Sequence, residues 1–295
     1  MVPPMSRILT DLTMARIIDA GGANFSAYYL PYGTLPGGVV QAEADLAWFV
    51  SGIPEPWFNG VVGAHSLHAP ERRVAAILAA LTALTALAAL TAHKLPFLWH
   101  SGSTTTPTDL GTLLHEHGLR QFADEPCMAL DLQAMTSPPA SPAGFVMAPA
   151  RDAESLTCWT DVWMATVPEP TRQRCRAVYA QLGASPTAPW RYYLGLLDGV
   201  PVATVKLFYA AGVVSVQHVM TLPAARRRGI GAALVSQALR EARLRGYRLA
   251  VLAATPIGYE LYRRLGFRKY GRAVSHIWRP TSDPTTTASG ILTPD

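Results

Sequence analysis

The chain has 295 residues, of which 49% are hydrophobic and 15% are charged, and this balance excludes a largely disordered protein. The length indicates about two domains. The net charge of +5 hides an asymmetry, because residues 1–143 carry 6 basic against 11 acidic residues, whereas residues 144–295 carry 19 against 9. A basic second half favours a polyanionic ligand.

Cysteine spacing and hydropathy restrict the class further. Cys127, Cys158 and Cys175 form no CxxC or His/Cys cluster, so we expect reduced thiols and no metal. The N-terminus has no apolar signal-peptide core, and we expect a cytoplasmic protein. Residues 74–92 are uncharged and long enough to span a membrane. Because they are mostly alanine and threonine with leucines at near-helical spacing, they predict a buried soluble helix instead.

The first half alternates helical and extended patterns and ends at a proline-rich segment. Helices are predicted at 11–30, 74–92 and 110–117, and strands at 39–44, 46–50, 61–67, 96–100 and 127–132. Thr108 and Asp109 are the predicted N-cap region of the third helix. Three prolines between Thr136 and Gly144 cannot continue regular structure. We therefore predict a first domain over 1–135 and a linker over 136–143.

The second half has hairpins first and helical crossovers later. Strands are predicted at 145–148, 191–197, 200–209, 213–219 and 249–254, with extended structure over 267–278, and helices at 152–166, 171–182, 230–245 and 257–265. This order predicts an α/β fold with a mixed, mostly antiparallel central sheet flanked by helices. We predict a second domain over 144–280 and a disordered tail over 281–295.

The connection between strand 213–219 and helix 230–245 reads Arg226-Arg227-Arg228-Gly229-Ile230-Gly231. A strand, a basic glycine turn and a helix N-terminus predict an anion site, because the first-turn N–H groups have no partners inside the helix and the dipole adds positive charge. No Lys-Ser/Thr pair follows, which argues against a P-loop. Leu234 stands where a dinucleotide fingerprint needs its third glycine.

Three segments of the second half together resemble the GNAT superfamily of acyl-CoA N-acyltransferases. They are the hairpin 194–203, the segment 219–223 followed by Arg226-x-x-Gly229-x-Gly231, and the segment 261–267, which is similar to the closing LYxxxGF signature. The resemblance covers 144–280. It implies the GNAT acyltransferase fold and transfer of an acetyl or acyl group from acetyl-CoA to an amine of a small molecule or peptide, without a metal.

The resemblance also implies roles for individual residues. The pyrophosphate of acetyl-CoA would contact the turn and the first helical residues, Arg227, Arg228, Gly229, Ile230, Gly231 and Ala232. The thioester carbonyl would face a backbone amide among Val219, Met220 and Thr221. Tyr262 occupies the family's general-acid position, and a phenol with an ordinary pKa of ~10 is protonated at neutral pH. Thr255 replaces the asparagine often found before the tyrosine helix, which puts a hydrogen bond to the pantetheine arm in doubt.

Strand alternation separates Ser215 and Gln217 from His218. Because the polar face should border the cleft, we predict Ser215 and Gln217 as substrate-cleft residues and His218 as a hydrogen-bonded core histidine beneath helices. A β-bulge would reverse this assignment. No carboxylate lies on this strand, so we predict that water or the substrate itself accepts the amine proton.

The first half resembles a degenerate copy of the second. Setting Gly118 on Gly266 places Leu114 where Tyr262 stands, and residues 71–76 have no glycine where a pyrophosphate needs bare backbone. We predict two tandem copies, of which the first has lost its cofactor site. An unrelated first domain with a chance match is the alternative.

Two other functions stay open. A non-catalytic acyl-CoA sensor or scaffold would not need the Tyr262 phenol. A nucleic-acid-binding protein could use the basic half, but no aromatic-rich RNA motif accompanies the arginines. We expect neither nucleic acid nor a membrane as a partner. The oligomeric state, the acceptor and the acyl chain stay open.

Overall fold

The structure is a computed structural model. It describes residues 7–43, 46–63, 71–76, 78, 95–103, 105, 109–135 and 140–280. The predictions for most of the alanine-rich helix, for linker residues 136–139 and for the tail 281–295 lie outside the described residues. By internal contacts the chain divides into two compact units. Of the described residues, unit 1 contains 7–24 and 127–270, and unit 2 contains the remainder.

The secondary structure follows the predicted order. The helices are α1 (Met14–Tyr29), α2 (Leu110–Glu116), α3 (Ala153–Trp163), α4 (Glu169–Leu182), α5 (Ile230–Leu244) and α6 (Pro256–Arg264). The strands are β1 (Val39–Ala42), β2 (Ala47–Val50), β3 (Asn59–Val62), β4 (Phe97–Gly102), β5 (Arg120–Asp131), β6 (Phe145–Ala150), β7 (Trp190–Leu197), β8 (Val200–Ala210), β9 (Val213–Thr221), β10 (Leu249–Ala253) and β11 (Arg268–Trp278). β5 begins seven residues before the predicted strand.

Local sequence explains several helix ends. The Asp152 side chain accepts a hydrogen bond from the Ser155 N–H and begins α3, and the Thr255 hydroxyl accepts one from the Gly258 N–H and begins α6. Asp109 is the N-cap residue of α2, as predicted, but its side chain makes no capping hydrogen bond, and Thr108 lies outside the described residues. Among the described residues, no helix combines the length and apolar character that crossing a membrane requires.

Unit 1 is built on strands in the order β5-β10-β9-β8-β7-β6. Neighbouring strands are antiparallel, except that β9 and β10 are parallel and α5 connects them. α5 packs on one face, where Val205 and Val214 meet Leu234 in the core. α3 and α4 cover the opposite face of β8, where Trp159 and Tyr179 are completely buried.

Unit 2 repeats the parallel motif. Its strands follow the order β1-β2-β3-β4-β11, in which β3 and β4 are parallel and the other pairs are antiparallel. Between β3 and β4 the described residues 71–76 and 78 are helical, and Val74 packs against Phe97 and Trp99. Each unit thus contains a parallel strand pair with helical residues between its strands, and the predicted α/β class with a mostly antiparallel sheet is confirmed.

The contact units do not divide the chain at the proline-rich linker. Cys127–Asp131 of β5 pair with β10 in unit 1. Ala273–Trp278 of β11 pair with β4 in unit 2. A hydrophobic pattern predicts that a segment is a strand but not which strand it pairs with. The predicted boundaries therefore separate β5 from β10, and β11 from β4. The division into 1–135 and 144–280 remains a prediction.

Candidate active site

The turn between β9 and α5 has an unusual backbone. Arg227 has a φ of 61° and Gly229, the N-cap of α5, has a φ of 79°, so both adopt the left-handed region. The Arg226 Nε donates to the Thr221 carbonyl over 3.1 Å and fixes the start of the turn. The Ala233 N–H donates to the Gly229 carbonyl. The N–H groups that precede it have no intrahelical acceptor and can bind an anion.

The two glycines of the turn are needed for different reasons. A Cβ at position 229 would fit, because its nearest neighbour would be Pro142 at 3.9 Å. Glycine is needed there for the left-handed backbone, which other residues rarely adopt. Gly231 has a helical backbone and needs space, because a Cβ would lie 3.3 Å from the Thr221 hydroxyl and 3.7 Å from Leu261. A Cβ at position 231 would therefore sit tightly against the Thr221 hydroxyl, beside the proposed anion site.

A cavity of about 990 Å³ opens at this turn, entirely within unit 1. Its lining includes all the predicted cofactor residues except Arg228, together with Tyr262: Val219, Met220, Thr221, Arg227, Gly229, Ile230, Gly231, Ala232 and Tyr262. Arg228 is exposed and does not line the cavity. The described lining also contains Arg226 and Arg264 but no carboxylate, so the charge of the walls suits an anion.

The cavity lies where two strands separate. β9 and β10 pair only through Val214 with Ala250 and Ser215 with Val251, although β9 continues to Thr221. Beyond Ser215 the backbone of β9 no longer pairs with β10, and Val219, Met220 and Thr221 line the cavity.

Tyr262 lies at the α6 side of the cavity. Its side chain is only 7% exposed, and its ring stands edge-on to Phe267 with centroids 5.7 Å apart. A Cβ at Gly258 would lie 2.9 Å from the Tyr262 ring, so Gly258 makes room for the phenol.

A β-bulge near the end of β9 changes the face of the strand on which His218 lies. Across β8, Lys206 faces Gln217 and Thr204 faces Met220, so one extra residue is inserted in β9. His218 has a φ of 51°, and its carbonyl accepts a hydrogen bond from the Thr204 hydroxyl. The prediction that His218 faces away from Gln217 is wrong, because the extra residue interrupts the two-residue alternation.

His218 joins an aromatic cluster beneath α3 and α4, so the prediction of a hydrogen-bonded histidine beneath helices is confirmed. Its Nε2 lies 3.0 Å from the Tyr179 hydroxyl, and its ring centroid lies 3.9 Å from that of Trp163. Lys206, opposite Gln217, approaches the rings of Tyr179, Trp190 and Tyr192 at 5.1–5.5 Å.

Burial dominates the protonation of this cluster. It lowers the pKa of Lys206 to about 7, despite ring faces that favour the ammonium. Burial, followed by the charge of Lys206, holds the pKa of His218 well below its usual range. His218 is therefore neutral at neutral pH.

The predicted substrate-cleft residues do not line the cavity. Ser215 is 2% exposed, and its hydroxyl has no partner among the described residues. Gln217 is half-buried opposite Lys206. Both lie on the α3–α4 side of the sheet.

Sequence patterns missed part of the lining. The additional residues are Met135, Ala225, Ser236, Thr255, Ile257, Gly258, Leu261 and Leu265. Four of them, Ile257, Gly258, Leu261 and Leu265, lie on α6 or directly after it, and helical periodicity could have grouped these. Met135 precedes the predicted linker, and no signal in the sequence assigns it to this site. No group of metal-ligating side chains occurs in the part of the chain that the structure describes.

Comparison with known proteins defines the class. The model of the acetyltransferase (GNAT) family matches residues 154–267. A GCN5-related N-acetyltransferase from Kribbella flavida has 22% identity and a TM-score of 0.65, with 89% of this chain and 97% of that chain covered. A GCN5-related N-acetyltransferase from Sphaerobacter thermophilus has 18% identity and a TM-score of 0.60, with 95% of this chain and 98% of that chain covered.

A tandem GNAT protein from the clavulanic acid biosynthesis pathway has 15% identity and a TM-score of 0.55, with 94% of this chain and 98% of that chain covered. No curated protein matches the chain in sequence. Residues 154–267 match the GNAT acetyltransferase family model, and nearly the whole chain shares the fold of solved GNAT proteins.

Proposed function

We propose that this protein is an N-acetyltransferase that moves an acetyl or other acyl group from coenzyme A to an amine of a small molecule or peptide. One observation carries the proposal: a single cavity contains the glycine turn, the end of β9 and Tyr262. These are an anion site, backbone amides beside a strand opening and a proton donor, which thioester aminolysis requires together.

Each part of the cavity has a proposed role. The N–H groups of Gly229 to Ala232 bind the pyrophosphate, and Arg226 and Arg227 add positive charge. A backbone N–H among Val219 to Thr221 stabilises the oxyanion that forms when the amine attacks the thioester carbonyl. As the C–S bond breaks, the Tyr262 hydroxyl donates its proton to the thiolate. The amine loses its own proton to water or to another group of the substrate.

The first half is proposed as a lobe without a cofactor site. Helical residues 71–76 lie between the parallel strands β3 and β4, as α5 lies between β9 and β10. They contain no glycine, so β-carbons stand where the second half has a bare turn. The corresponding domains are 1–135 and 144–280, and the proposed location is the cytoplasm.

Measuring coenzyme A release with a panel of amines tests the proposal. We expect acetyl-CoA to be consumed with at least one amine, and Tyr262→Phe to reduce kcat by roughly 100-fold without weakening acetyl-CoA binding. Tyr259→Phe is the matched control, because Tyr259 lies on the same helix and packs on the same core but does not line the cavity.

The same assay separates the alternatives. Tight acetyl-CoA binding with no turnover for any amine would favour a non-catalytic sensor. Salt-dependent DNA binding without affinity for coenzyme A would favour a nucleic-acid-binding protein.

A further inference from the structure

The cavity lining includes residues that the proposed chemistry does not use. Beyond the glycine turn its lining continues along α5 through Ala232 and Ser236, which lie one helical turn apart. Arg264, the last residue of α6, and Leu265 directly after it also line the cavity. These residues come after the glycine turn in the sequence, whereas Val219 to Thr221 belong to β9, which comes before it.

Met135 also lines this cavity, although it belongs to the first half of the sequence. It follows a single helical turn, Leu132–Ala134, whose Leu132 N–H donates to the Arg248 carbonyl over 2.7 Å. The Met135 side chain packs against the core that contains α5. It is therefore held beside the cavity by backbone bonding before it and packing around it.

The residues directly after 136–139 contact α5 and the glycine turn. The Gln237 side-chain amide donates to the Ser141 hydroxyl over 3.0 Å. Pro142 lies 3.9 Å from where a Cβ of Gly229 would be. The described residues on both sides of the gap thus contact α5 or line the cavity at its N-terminal half.

The covalent order of coenzyme A suggests which part of the ligand these residues contact. The pyrophosphate lies in the middle of the molecule, with the acyl-pantetheine arm on one side and the 3′-phosphorylated adenosine on the other. Under the proposed function the thioester lies near β9 and Tyr262, and the pyrophosphate lies on the glycine turn. The adenosine then lies against the lining residues that these two parts do not use.

We propose that Met135, together with Ser236 and Leu265, forms the wall that contacts the adenosine end of coenzyme A. The inference rests on the proposed function. A methionine side chain is flexible and polarizable and packs well on an aromatic face such as adenine. Arg264 supplies positive charge for the 3′-phosphate. The Glu260 carboxylate pairs with the neighbouring Arg263, whereas the Arg264 Nε donates to the Glu260 carbonyl.

Titration of two ligands tests the inference on the full chain. Coenzyme A carries the adenosine, and 4′-phosphopantetheine lacks it. We expect Met135→Glu to weaken coenzyme A binding about tenfold, because a carboxylate replaces an apolar contact and repels the 3′-phosphate. It should leave the Kd of 4′-phosphopantetheine unchanged. Met147→Glu is the control, because Met147 is equally half-buried on the same core but does not line the cavity.

The outcomes are distinct. Equal losses for both ligands, unchanged coenzyme A binding in Met135→Glu, or the same loss in Met147→Glu would overturn the inference. If Met135→Glu fails to fold, Met135→Gln should give a smaller loss confined to coenzyme A. A wild type that binds neither ligand would overturn the proposed function itself.

Discussion

Alanine at position 231 is expected to affect helix stability and cofactor binding in opposite directions. The Gly231 backbone is helical, and alanine is a better helix former than glycine there by about 0.8–1 kcal/mol. Yet a Cβ would crowd the Thr221 hydroxyl at 3.3 Å. The residue that stabilises the helix better is therefore the one that disturbs the proposed anion site.

We predict that Gly231→Ala weakens acetyl-CoA binding roughly tenfold or more while the melting temperature stays the same or rises. Calorimetric titration and thermal unfolding measure the two effects. Gly111→Ala is the control, because Gly111 is also helical and its Cβ would also meet a side-chain atom at 3.3 Å, in unit 2. Unchanged affinity in Gly231→Ala would contradict the assignment.

Lys206 gives the fold a specific pH dependence. Its pKa is about 7 in the folded protein because it is buried, against 10.5 ordinarily. Between these values the unfolded chain binds more protons than the folded one, so the free energy of unfolding rises with pH.

We predict that wild type gains stability relative to Lys206→Met from pH 7 to pH 10, by up to about 1.4 kcal/mol per pH unit. The comparison removes the titration of other groups. Urea unfolding at several pH values measures it, and parallel curves for the two proteins would show that burial does not lower this pKa.

At the residue scale, the sequence predicts those cavity residues that belong to a short motif. Gly229, Gly231 and Tyr262 follow from short motifs, and all three line one cavity. Met135 does not, because its place depends on a backbone hydrogen bond to Arg248 and on packing against α5.

The bulge of β9 is the element that strand alternation mispredicts. Nothing in the run 213–221 marks an inserted residue, since His218 tolerates a positive φ without being a glycine. The consequence is local but functional: the bulge brings His218 to the face of Gln217 and places the next residues along the cavity.

We predict that His218→Val is less stable than His218→Gly by about 1–3 kcal/mol, because a β-branched residue resists a positive φ. Both variants lose the imidazole, so denaturant unfolding isolates the backbone effect. Equal stabilities would argue against the bulge.

His218→Gly also tests the proton acceptor. Because we assign that role to water or the substrate, this variant should keep most of its turnover. A folded but inactive His218→Gly would assign the base to His218.

At the scale of the whole molecule, strand pairing does not follow the order of the chain. Residues Cys127–Asp131 pair with β10, whose other neighbour is β9, the strand that lines the cavity. Helix α1 also contributes to unit 1, where the Asn24 amide donates to the Ala210 and Val213 carbonyls. Hydrophobic periodicity predicts each of these elements and not their partners.

We predict that a fragment of residues 140–280 fails to give a cooperative unfolding transition, because β10 loses its β5 partner and exposes a sheet edge. Circular dichroism and size-exclusion chromatography measure this against the full chain. A monomeric, cooperatively folded fragment would support an independent second domain.

The most direct measurement of the central claim is calorimetric titration of acetyl-CoA into wild type and Gly231→Ala. The proposed site predicts one binding event per chain, with affinity reduced roughly tenfold or more in the variant although it is folded. Absence of binding to the wild type, or equal affinity for both proteins, would contradict the claim that the turn from Arg226 to Ala232 holds the pyrophosphate of coenzyme A.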